Sequence, residues 1–203
     1  MTAVDAETVD AVTEIVNIGV GKAAGQLNQM TGSHIRLQIP SLSIVPFAKI
    51  SSSETAIFSG DKLSAVLLNF RGSFSGISAV VFPPESASAL VMLLTGEKED
   101  SQDLDPMRIE ALKEVGNIII NAMMGSIANV LSEHLEYSIP TYYEGSILET
   151  TAIKRKRTGD DWVLIARTNF LIESINIQGD ILLLLEVGSL DRLVESIHKT
   201  RNR

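Results

Sequence analysis

The sequence predicts an α+β fold, with two long helices on one face of a shared, mostly antiparallel sheet. Three observations predict it. A long amphipathic helical pattern occurs twice. Each copy leads into a short extended segment ending in proline, and each segment is followed by a strand pair and a closing helix. The copies lie one hundred positions apart, as Asp10-x3-Glu14-x2-Asn17-x22-Pro40 and Glu110-x3-Glu114-x2-Asn117-x22-Pro140. A lone Glu-x-x-Asn is noise in a helix-rich chain, whereas two copies with the same distance to a proline argue for a duplicated unit. The expectation is one domain, residues 1–203, with pseudo-twofold internal duplication and repeats at about 5–95 and 105–199.

The first helix is expected from about Asp5 to Met30. At ~100° per residue, Val9, Val12, Ile15, Val16, Val20, Ala23, Leu27 and Met30 gather on one broad face. Asp10, Glu14 and Asn17 fall within ~60° of each other on the opposite face. The second helix is expected from Asp105 to His134, with Asp105 as N-cap and Pro106 in the first turn. Leu112, Val115, Ile119, Ile120, Met123, Ile127 and Val130 form its buried side, and Glu110, Glu114 and Asn117 point away. The segments His34 to Pro40 and His134 to Pro140 read as extended stretches leaving the helices. Leu63–Arg71 with Gly76–Phe82 suggests one hairpin, and Trp162–Ile172 with Ile175–Glu186 another, whose apolar second strand is expected at the sheet centre. Pro84–Leu94 and Ser189–Lys199 read as closing helices, with Thr95–Asp105 as a polar joint. Helices segregated from antiparallel strands define the α+β layering.

Composition narrows the function. The 203 residues are 45% hydrophobic and 21% charged, which gives a globular chain long enough for a sizeable core. A net charge of −8 disfavours nonspecific nucleic-acid binding and anionic membrane surfaces. The absence of cysteine excludes thiol catalysis, disulfides and thiolate metal sites. The polar, acidic start does not read as a signal peptide, and the apolar run Ile181–Leu185 is too short to span a bilayer. A cytoplasmic protein is expected.

Several motifs are decoys. Gly19-Val-Gly-Lys-Ala-Ala24 has the letters of a dinucleotide fingerprint, but that motif needs a preceding strand and a helix N-terminus facing pyrophosphate. Here a helical pattern precedes it, so small residues for close helix packing are expected. His34 and His134 hold equivalent places, yet lack the convergent ligands of a metal site. His198 is a lone histidine near a helix end. Lys154-Arg-Lys-Arg157 precedes the turn signal Thr158-Gly-Asp-Asp161 and reads as a solvated loop, with a docking patch for an acidic partner as the functional alternative.

The carboxylate–carboxamide face carries the chemistry. Glu14 with Asp10, or Glu114 with Glu110, lie one turn apart on solvated helix, without the burial that makes an acid/base pair. A carboxamide is better suited to orienting water, because its oxygen accepts a water proton while its NH2 donates to a neighbouring oxyanion. Glutamine plays that part in GTP hydrolysis. The neighbouring carboxylate is left to ion-pair with a basic residue of a partner.

These residues resemble the active-site signature of the CheC/CheX/FliY family of chemotaxis phosphatases, Asp/Ser-x3-Glu-x2-Asn-x22-Pro. The resemblance spans essentially the whole chain, and its tandem motif is like the CheC branch. It implies hydrolysis of the aspartyl phosphate of the response regulator CheY, with Mg2+ on the substrate and no cofactor or metal held by this chain. Asn17 and Asn117 would orient the attacking water, and Glu14 and Glu114 would pair with a receiver lysine. Asp10, Pro40 and Pro140 match the supporting positions, whereas Glu110 stands where the pattern has Asp or Ser. The resemblance also implies binding to the receptor deamidase CheD, as a monomer that forms a heterodimer. Two alternatives are a CheD-binding regulator with weak phosphatase activity and a component like the flagellar switch protein FliM.

Overall fold

Two helices of 26 residues each organise the molecule: α1 (Ala6–Thr31) and α3 (Pro106–Leu131). A computed structural model describes residues 6–32, 34–46, 63–96, 105–146, 162–172, 175–186 and 188–201. The other elements are β1 (Ile35–Pro46), β2 (Leu63–Gly72), β3 (Gly76–Phe82), α2 (Pro84–Thr95), β4 (Leu135–Tyr137), β5 (Thr141–Gly145), β6 (Trp162–Ile172), β7 (Ile175–Leu185) and α4 (Ser189–Arg201). The strands form one seven-stranded sheet in the order β1-β6-β7-β3-β2-β4, with β5 also on β2. Every pairing is antiparallel.

The helices form where the apolar spacing requires. Val12, Val16, Val20, Ala23 and Leu27 of α1 are buried, as are Leu112, Val115, Ile119, Ile120, Met123 and Ile127 of α3. They join Val66, Leu68, Phe70, Val80 and Phe82 of the sheet in one large core. Asp105 caps α3 as expected, its carboxylate accepting from the Arg108 N–H at 2.9 Å. Both long helices stop at a left-handed residue, Gly32 (φ 66°) and Ser132 (φ 55°). Serine there is tolerated because its N–H closes the last turn on Ala128 and Asn129. The expected burial fails at Met30, which is 46% exposed. α3 is long and apolar enough to cross a membrane by composition, but 56% of its most apolar stretch is buried within the protein.

The two prolines of the motif act alike and look different. β1 runs through Pro40, where its register with β6 shifts between Gln38 and Ser41. A residue without an N–H fits such an irregularity on an edge strand. The second copy was expected to be one extended stretch up to Pro140. Instead the strand breaks before that proline and resumes as β5, which the sequence reading lacked. Ser138 bridges the break, its N–H donating to the Asn69 carbonyl and its hydroxyl accepting the Asn69 N–H, both at 2.9 Å.

Small residues set how closely the layers approach. A Cβ on Gly19 would lie 2.5 Å from the Cα of Met123, so α1 and α3 touch backbone to backbone there. A Cβ on Gly116 would lie 2.5 Å from the Cβ of Val66, so α3 is pressed onto β2. Gly21 differs, because nothing lies within 4 Å of the place a side chain would begin. The second hairpin strand is central, as expected, but not wholly apolar. It carries Asp180 opposite Arg167, with 3.8 Å between Oδ1 and Nε. Burial pushes the Asp180 carboxyl up to about 6, and Arg167 offsets only part of this.

Two stability measurements test this packing. Gly19→Ala is expected to cost about 1–3 kcal/mol in denaturant unfolding, because the Met123 backbone must move. Gly21→Ala is expected to stabilise by roughly 0.5–1 kcal/mol through helix propensity alone. The folded state holds the Asp180 proton more tightly than the unfolded chain. Its favourable contribution is therefore full below the ordinary 3.8 and lost as pH rises through about 6. Asp180→Asn should thus gain about 1–2 kcal/mol over the parent at pH 7.5, and less at pH 4. Parallel pH–stability curves for the two proteins would overturn this account.

Candidate functional site

The motif residues occupy the outer faces of α1 and α3. Asp10, Glu14 and Asn17 are exposed, as are Glu110 and Glu114, and Asn117 is half-buried. Pairing of the inward faces leaves them there, since each motif residue lies opposite the apolar stripe that meets the core. The helices run antiparallel, with Gly19 against Met123 at the crossing and the start of α1 beside Val130 and Leu131 at the end of α3. Asn17 is therefore level with Gly125 of α3, and Asn117 with Gly25 of α1. The two asparagines stand about 12 Å apart along the helix axes, as separate sites. Neither Gly25 nor Gly125 has an atom within 4 Å of where a side chain would begin, so both surfaces are low beside the asparagines.

The surroundings of the two sites differ. A cleft of about 350 Å3 opens between the first turns of α1, the end of α3 and α4. Asp10 and Glu14 line it together with Glu7, Ile15, Ile18 and Ile197. Ile18 is 45% exposed and interrupts the polar face of α1. On α3, Lys113 Nζ donates to Glu110 Oε1 at 2.8 Å, and Asn121 Nδ2 donates to Asn117 Oδ1 at 2.8 Å. The matching positions of α1 are Thr13, whose hydroxyl donates to the Val9 carbonyl at 2.7 Å, and Gly21. The side chains of Asp10, Glu14, Asn17 and Glu114 make no hydrogen bond or ion pair to another described residue. A free carboxylate and a free carboxamide one turn apart can receive a cation and an oxyanion from a partner.

Sequence reasoning missed Lys113 and Asn121. Both lie one helical turn from a motif residue, so helical-wheel placement of every polar residue on α3 was the available signal. Pro40 lies within β1 and Pro140 in the break between β4 and β5, so neither is on α1 or α3. His34 accepts from Arg36 Nε at 3.1 Å, and Thr8 and His198 meet at 3.4 Å. His34 precedes β1 and His134 precedes β4, at opposite edges of the sheet, so the pair does not converge. Among the described residues no group of three or more His, Asp or Glu could hold a metal ion. Gly19-to-Ala24 lies within α1, away from any helix N-terminus, which removes the basis for dinucleotide binding. The basic run Lys154–Arg157, its turn, and most of the Thr95–Asp105 joint lie outside the described residues.

Comparisons with known proteins fall on these same segments. The model of the CheC-like family matches residues 9–44, and that of chemotaxis phosphatase CheX matches residues 64–158. Each contains one copy of the motif or its Glu–Asn pair. The CheY-P phosphatase CheC of Bacillus subtilis is 25% identical over 174 residues, 81% of this chain and 80% of that protein. The flagellar motor switch phosphatase FliY of the same organism is 26% identical over 161 residues, 77% of this chain. The chain spans only 40% of the length of that FliY. The crystal structure of Thermotoga maritima FliY superposes with a TM-score of 0.80 at 17% identity, covering 98% of this chain and all of that one. CheX from a Borrelia burgdorferi CheX–CheY–BeF3–Mg2+ complex gives a TM-score of 0.53 at 16% identity, covering 86% of this chain and 99% of that one. Over both motif helices the chain is similar to the CheC-like and CheX chemotaxis phosphatases, and it shares the fold of the FliY and CheX structures.

Proposed function

We propose that the protein hydrolyses the aspartyl phosphate of a CheY receiver, with Asn17 and Asn117 each orienting the attacking water. The observation that carries this reading is the pair of exposed Glu–Asn faces, left open on neighbouring helices and otherwise unexplained by the packing. Relatives named as CheY-P phosphatases support the substrate, as does the CheX–CheY complex. In the reaction the water oxygen bonds to phosphorus as the bond from phosphorus to the receiver aspartate breaks. The water proton leaves with the inorganic phosphate, and the aspartate returns as a carboxylate. Asn supplies position and a donor to the phosphoryl oxygens, Glu14 and Glu114 engage a basic residue of the receiver, and Mg2+ arrives with the substrate. Water is the nucleophile in this reading, so no covalent enzyme intermediate forms.

Such a substrate places the protein in the cytoplasm. The repeated order of helix, edge strand, hairpin and helix supports descent of the two sites from one duplicated unit. Binding to CheD, as a heterodimer, is part of this proposal, and the likeness to CheC is what supports it.

The test is the double variant Asn17→Ala Asn117→Ala, assayed on phosphorylated CheY with Mg2+. Its expected rate falls to that of phospho-CheY alone, with an unfolding midpoint within ~2 °C of the parent, because both side chains lie on the surface. Each single variant is expected to retain a substantial part of the activity. Parental turnover in the double variant would sink the mechanism.

A further inference from the structure

Asn121 lies outside the motif, yet it is the one described side chain hydrogen-bonded to a motif asparagine. A surface carboxamide turns readily about its last torsion, exchanging oxygen and NH2. For water positioning the two ends are not equivalent, because the oxygen must face the water and the NH2 the phosphoryl oxygens. Donation from Asn121 Nδ2 into Asn117 Oδ1 at 2.8 Å restrains the Asn117 carboxamide and leaves the second lone pair of that oxygen for the water. It also draws charge through the amide, which makes the Asn117 NH2 a stronger donor. On α1 the matching position is Gly21, so Asn17 lacks this restraint.

We propose that Asn121 is a positioning residue for Asn117, fixing its carboxamide so that the α3 site turns over faster than the α1 site. This rests on the water-positioning reading above. The two sites then share a motif and differ in preorganisation, with Asn121 and Gly21 as the residues that set the difference. The α1 site has room for the same device, since nothing lies within 4 Å of where a side chain at position 21 would begin.

Single-site proteins test the assignment on phosphorylated CheY with Mg2+. Asn17→Ala leaves the α3 site and Asn117→Ala the α1 site, and kcat is expected to be higher in the first. Adding Asn121→Ala to Asn17→Ala should lower kcat about two- to tenfold with KM unchanged, the size of one lost orienting hydrogen bond. Adding Gly21→Asn to Asn117→Ala should raise kcat by a similar factor. An unchanged kcat in both, or a change confined to KM, overturns the assignment while the wider mechanism stands. Parental activity in Asn17→Ala Asn117→Ala overturns both, so the two failures are distinguishable.

Discussion

The backbone contact between α1 and α3 at Gly19 and Met123 is the constraint on which the rest depends. Two helices that touch this closely leave no room to roll, so the direction each polar face takes is fixed by a single absent methyl group. The same seat sets the antiparallel register, and with it the separation of the two asparagines. Gly116 does the equivalent work one layer down, where α3 meets Val66 of β2. Gly116 directly precedes Asn117, and Gly19 follows Asn17 by two positions. Each asparagine is thus carried on the stretch of helix held most tightly from beneath.

The sheet explains why the two halves of the chain stay together. β1, which follows the first helix, pairs with β6 of the second hairpin, and β4 and β5, which follow the second helix, pair with β2 of the first. Neither half keeps its own edge strand. Read from either edge, the order is helix-following strand, first hairpin strand, second hairpin strand, with β7 and β3 meeting at the centre. Separating the halves would break pairings at three places and open both cores, so the two polar faces are held in one rigid body. The prolines sit where this exchange needs a break in the ladder, at the β1 register shift and between β4 and β5.

Most of this was legible in the sequence because period and spacing report it directly. The apolar stripes of α1 and α3, the two hairpins and the closing helices follow from side-chain alternation and from Asp105, Pro106 and Pro84. β5 was not legible, since Thr141-Tyr-Tyr-Glu-Gly145 has no alternation of burial to announce it and is a strand only because β2 offers an edge. Met30 was expected inside because it fits the stripe, but in the last turn of α1 it is exposed. Asp180 was hidden within an otherwise apolar strand, where only the three-dimensional neighbourhood shows its carboxylate short of partners. The candidate site was legible as residue types and spacing. Its asymmetry was not, because Lys113 and Asn121 gain meaning only once their side chains are seen to reach Glu110 and Asn117.

That asymmetry extends to charge. Lys113 neutralises Glu110, so the α3 face offers a docking cation one unpaired carboxylate, Glu114. The α1 face offers both Asp10 and Glu14, and Glu7 lines the same cleft. An exposed pair such as Lys113–Glu110 adds little to stability, but it removes a charge from the field an approaching partner meets. The α1 face is therefore the stronger electrostatic trap for a basic surface, whereas the α3 face holds the better oriented carboxamide. Under the proposed reading, capture and turnover are weighted differently on two copies of one motif, and the substitutions that do it, Thr13 against Lys113 and Gly21 against Asn121, leave the motif itself untouched.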